Sequence, residues 1–281
     1  MTALEFALAL LPLAAALAGL LLWITTRDEA LGDAALVLRF TLLLTLATLA
    51  AWSAGRTEAV QLRINPALRA QRALEAQPVY AAFQQHLPGE LPALQDALLA
   101  RARRGEALEE AFRQIRPMLA RVAVDRLGFA DQASRVLWGR QTAATLRALG
   151  AVDPAACYAA IAAQPIGEHT LASAFSAQQQ ADFQQAVVAV LESGDRKSRQ
   201  GPPPGDEPVE FNAIQAEYVV IREALLAQHG AEAVAAIDTK SFPAEPVVPA
   251  AQVCEARIAQ LEAILERPRP MASMLVDAVL R

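Results

Sequence analysis

The sequence predicts an all-α protein, a two-helix transmembrane hairpin followed by a multi-helix soluble domain. Three observations carry that expectation. Residues 6–26 form a 21-residue run without a charge, and a second apolar run follows at 36–55 after a short acidic turn. Beyond residue 56, apolar residues recur three and four apart, the period of an amphipathic helix. Proline and glycine punctuate these segments, and apart from a two-valine fragment between Pro246 and Pro249 no run has the alternation of a strand.

The hairpin follows from length and polarity. A bilayer core of about 30 Å needs ~20 helical residues to cross, and both runs reach that. Pro12 is tolerated in a spanning helix, because neighbouring groups satisfy the carbonyl it frees. Arg39 lies in the first turn of the second run, from which its stem can carry the guanidinium to the headgroups. Trp23 and Trp52 stand at the ends of the two runs, where indole rings favour the membrane interface. Ala15 and Gly19, and Ala47 and Ala51, are spaced four apart and would let the two helices approach closely. A cleavable signal peptide is the rival for the first run, but there is no basic segment before it, its apolar core exceeds the usual ~7–15 residues, and a second span follows at once.

The arginines set the expected orientation. The turn at 27–35 holds Arg27 against Asp28, Glu29 and Asp33, whereas Arg56, Arg63, Arg69 and Arg72 follow the second span. Basic residues near a span are retained in the cytoplasm. The expected location is therefore a bacterial inner membrane with the soluble domain in the cytoplasm, the periplasmic orientation being the alternative.

Residues 56–281 are enough for a sizeable core. Charge is uneven: residues 56–147 carry 14 basic and 9 acidic side chains, net +5, and residues 148–281 carry 9 basic and 17 acidic, net −8. The basic half lies nearest the membrane, as a solvated helical face or as a surface weakly drawn to anionic lipids. Aromatics make up 5% of the chain and lysine is nearly absent, so stacking platforms for nucleic acid are not evident, and the net charge of −5 argues against DNA.

Four segments are expected: the hairpin at 1–55, a helical domain at 56–193, a flexible proline- and glycine-rich connection at 194–208, and C-terminal helices at 209–281 packed on the same domain. Asn65 and Pro66 open a helix, and Pro78 divides it. A tight connection at 87–92 leads to a helix ending at Gly105. Leu108, Phe112, Ile115, Leu119 and Val122 form the next apolar stripe, interrupted near Arg116 by Pro117. Asp131 caps a helix through Trp138 to Leu149, and Asp153 with Pro154 opens a short one ending at Gln164. A helix at 177–193 carries Phe183, Val187, Val190 and Leu191 on one side and glutamines on the other. After the connection, Phe211, Ile214, Tyr218, Ile221 and Leu225 mark a helix ending at Gly230. A short helix, a proline-rich loop at 241–249, a helix bearing Cys254, Ile258, Leu261 and Leu265, and a terminal helix from Pro270 complete the chain.

Chemistry is harder to find. His86, His169 and His229 belong to no H-E-x-x-H pair, and no two are spaced for zinc on one helical face. Glu168 and His169 could act as an acid–base pair, yet neighbours on a helix point apart. Phosphate-cradling glycine loops and the nucleophile elbow are missing. No catalytic, cofactor-binding or metal-binding residue is therefore assigned, and a catalyst is not the expectation. Cys157 and Cys254 each sit near a helix start, which lowers a thiol's pKa. In a cytoplasmic domain both are expected to be reduced core thiols. In a periplasmic one, a Cys157–Cys254 disulfide closing a loop of 97 residues would stabilise by roughly 4–5 kcal/mol.

The stretch DPAACY around Cys157, the stretch AQVCEARIAQLEAIL around Cys254, and the Met- and Leu-rich terminal helix ending in Leu280 and Arg281 resemble a group of proteobacterial helical membrane or envelope proteins. The resemblance covers about residues 92–281 and implies a helical fold. It rests on no catalytic motif, so no functional residue carries over. The expected role is a membrane-anchored helical scaffold or protein-interaction module, its partners the lipid bilayer and another protein, with no nucleic acid and no cofactor. An enzyme with a site built from scattered polar residues, or a periplasm-facing binding protein of envelope or immunity type, are the alternatives.

Overall fold

The computed structural model describes residues 66–200, 206, 208–239 and 242–281, together with Gly19, Thr41, Leu42, Leu44 and Thr45. Apart from those five positions, the expected spans at 6–26 and 36–55 lie outside the described residues. So do Arg56 and Arg63. Among the described residues no helix is long and apolar enough to cross a membrane.

The described residues are all-helical, with no strand. The helices are α1 (Pro66–Glu75), α2 (Pro78–His86), α3 (Leu91–Arg103), α4 (Leu108–Gln114), α5 (Arg116–Leu127), α6 (Gln132–Val152), α7 (Pro154–Ile161), α8 (Glu168–Ala174), α9 (Ala177–Gln200), α10 (Phe211–His229), α11 (Ala231–Ile237), α12 (Ala250–Leu265) and α13 (Arg269–Leu280). The chain divides into two compact units, Met1–Ala73 with Ala102–Gly105, and Leu74–Arg101 with Glu106–Arg281. The first takes most of α1 and the last residues of α3; the second takes all the remaining helical residues described.

Local chemistry explains most boundaries. Pro78 and Pro154 each occupy the first helical turn, where the missing N–H is not needed. Pro117 does the same for α5 and cannot continue α4, so the apolar stripe breaks at Ile115. Asp131 caps α6 by accepting from the Ser134 N–H at 2.8 Å, and Asp153 caps α7 by accepting from the Ala155 N–H at 2.9 Å. Gly105 and Gly230 follow helices at φ of +84° and +82°, conformations that side-chain-bearing residues rarely adopt.

Two elements differ from expectation. α8 is not among the expected helices, since GEHTLAS offers only Leu171, with Phe175 just beyond it, as buried anchors. The connection expected to begin at Gly194 does not begin there, because α9 runs on to Gln200. Gly194 and Asp195 are poor helix formers, but they are held by packing: Gly194 lies against the backbone and Cβ of Phe129, and Asp195 bonds to His86. Tertiary contact overrides a propensity deficit of about 1 kcal/mol.

α6 is the central helix of the second unit, packed by α7, α8, α9, α12 and α13. Trp138 faces α9 and meets Phe183 with ring centroids 5.7 Å apart. Next to it Gly139 faces α13, where a Cβ would come 2.7 Å from Val276 Cγ2. Close helix approach therefore depends on glycine at this position. The main core joins Phe83, Phe112, Leu119, Val187, Ile221, Ile264 and Leu275, all essentially solvent-free. Burying side chains of this size stabilises by about 1.5–3 kcal/mol each. A second cluster at the other end of α6 gathers Leu146, Leu149, Cys157, Leu171, Phe175, Cys254 and Leu261.

Candidate functional site

The three histidines are dispersed. His86 ends α2 and donates from Nδ1 to Asp195 Oδ2 of α9 at 2.9 Å. The pair borders a cavity of about 90 Å³ lined also by Arg126, Phe129 and Leu191. That space is well below the ~300–1,000 Å³ of small-molecule sites. His169 stands in the first turn of α8 beside Glu168, whose carboxylate turns away to accept from Arg101 at 2.8 Å. His229 closes α10, with Nε2 buried and unbonded. Among the described residues no group of three His, Cys, Asp or Glu side chains could hold one metal ion.

Arg116, which in the sequence is notable only for standing beside Pro117, is 3% exposed. Its guanidinium lies between the rings of Phe175 and Phe183, 3.9 Å from each centroid. It donates to Thr145 Oγ1 at 2.8 Å and to Gln180 Oε1 at 3.0 Å, and Nε has no partner. Burial pulls its pKa down to about 9. Two aromatic faces supply part of the attraction that water would otherwise provide. The arrangement ties α5, α6, α9 and the end of α8 together. The sequence signal for it is the position of Gln180, three residues before Phe183 and so on the apolar side of α9, where it is 5% exposed.

The expectation of two reduced thiols is corrected: Cys157 of α7 and Cys254 of α12 are joined as a disulfide, with Cα atoms 5.9 Å apart. Their sequence neighbourhoods on two helix starts give no sign that α7 and α12 pack side by side against α6. Gly150 of α6 lies over the bridge, where a Cβ would come 3.1 Å from Cys254 Sγ.

A polar network holds α10, α11 and α12. Tyr218 donates to Asp238 Oδ1 at 2.6 Å, and Arg222 Nε donates to Asp238 Oδ2 at 2.9 Å. Arg257, 8% exposed, donates to Gln260 Oε1 at 2.7 Å and to the Ile237 carbonyl at 2.9 Å. Burial lowers the Arg257 pKa, while Tyr218 and Asp238 oppose that shift. Burial, and then the bond to Asp238, push the Tyr218 hydroxyl up to about 12.

This network fixes which side of α10 faces outward. Ile221 and Leu225 point into the core, whereas Val219 and Val220 stay 51% and 53% exposed. Ala213, Ala216, Ala224 and Ala227 are exposed around them, and Phe211 stands at 69% at the start of the helix. Asn212, Gln215, Glu223 and Gln228 are exposed beside them, so the alanines and valines form a narrow apolar strip with a polar rim, suited to another apolar surface. No protein family, curated protein or solved structure matches this chain.

Proposed function

We propose that the protein is a membrane-anchored helical interaction module: residues 1–55 form a two-span anchor, and the helical domain binds a partner protein along the outer side of α10. The observation that supports this reading is the exposed Ala and Val surface of α10. Its small side chains favour a partner helix laid along it, since alanine lets backbones approach closely.

The disulfide supports the periplasm-facing orientation over the cytoplasmic one, because such bonds form and persist in oxidising compartments. The arginines from Arg56 to Arg72 oppose it. They count for less before a long domain, which can be translocated regardless of flanking charge.

The test is a photo-crosslinking amino acid placed at Ala216 in the full-length membrane protein, with the exposed position Glu255 as control. A discrete adduct is expected from position 216 only, and it should disappear when Val219→Glu and Val220→Glu are introduced. Adducts from 255 alone, or adducts at 216 that persist in the valine variants, would remove α10 as the binding surface.

A further inference from the structure

We infer that the Cys157–Cys254 bond is made by thiol–disulfide exchange with an external disulfide donor before α12 docks on α6 and α7, and is then sealed as a permanent structural link. This inference rests on the periplasm-facing orientation, in which the domain meets an oxidising compartment.

Cys157 is 0% exposed and Cys254 4%. They lie in the cluster with Leu146, Leu171, Phe175 and Leu261, and Gly150 covers them from α6. Exchange needs a thiolate to approach a disulfide sulfur through a mixed-disulfide intermediate. A donor protein cannot bring its sulfur to either cysteine in the folded domain. The bond must therefore form while α12 is still undocked.

In that exchange one chain thiolate, having lost its proton, attacks a sulfur of the donor disulfide, whose S–S bond breaks and releases the second donor sulfur as a thiolate. The other chain thiolate then attacks the chain sulfur of the mixed disulfide and expels the first donor sulfur. The chain loses two protons and two electrons, and the donor disulfide is reduced to a dithiol. The same burial works in reverse. A reductant reaches the bond only when α12 opens, so the link is a fixed part of the fold and not a redox switch.

The full-length protein in isolated membranes tests this. Alkylation under denaturing, non-reducing conditions should label neither cysteine in material quenched from intact cells. Dithiothreitol added to native membranes should then reduce the bond at least about 100-fold more slowly than the same dithiothreitol in urea. Equal rates with and without urea would overturn sealing while leaving the orientation standing. Two labelled cysteines in quenched cells would overturn the orientation itself, and with it the requirement for a donor.

Discussion

A single arginine shows how much of this core depends on polar groups. Arg116 is buried without a carboxylate partner: Gln180 and Thr145 accept from its terminal nitrogens, two aromatic faces enclose the guanidinium, and Nε is left without a partner. Replacing one member of such a set leaves the others buried and unpaired, at a cost of about 1–3 kcal/mol, whereas replacing both polar partners by apolar groups of similar shape can be nearly neutral. Arg116→Met is therefore expected to destabilise the domain by about 1–3 kcal/mol, because it orphans Gln180 Oε1. The double variant Arg116→Met with Gln180→Met should recover most of that loss in urea unfolding. Losses that simply add would show that the two side chains do not act as a unit.

At the scale of elements, the junction of α10, α11 and α12 combines an apolar seam with a titratable network. Tyr218 has a folded pKa near 12 against an ordinary value of 10.0. The folded state therefore binds more protons than the unfolded state across that window. The stability contributed by Tyr218 is fully present below pH 10 and is lost as pH rises towards 12. Arg116 is shifted in the opposite direction, burial lowering its pKa, but its guanidinium stays charged between the two aromatic rings. Comparing the wild type with Tyr218→Phe isolates the first effect. The wild type should lose stability more steeply than the variant between pH 10 and 12. Parallel pH profiles would show that the hydroxyl does not hold α10 to Asp238.

The whole molecule joins a proposed anchor to a domain with its own core. The full-length chain is expected to remain in the membrane pellet after an alkaline carbonate wash, and its recovery in the supernatant would remove the two-span anchor. Much of the domain was legible in the sequence, because its signals are local. Asp131, Asp153, Pro117 and Gly230 each act on the backbone within a few residues, so they start and stop helices wherever the chain folds. The stripes at Phe112, Ile115 and Leu119, and at Phe183, Val187 and Val190, follow from helical period alone. What tertiary structure decided involves partners far apart in the chain. The end of α9 is held by His86 across 109 residues, Arg116 acquires its sandwich from Phe175 and Phe183, and Cys157 finds Cys254 across 97. The outward side of α10 belongs to the same class. Val219 and Val220 stand beside Ile221 in one apolar run, and only packing against α12 and the bonds of Tyr218 and Arg222 to Asp238 choose which of them is buried. Helical period restricts the choice to a face, and the identity of that face is settled by contacts between segments distant in the chain.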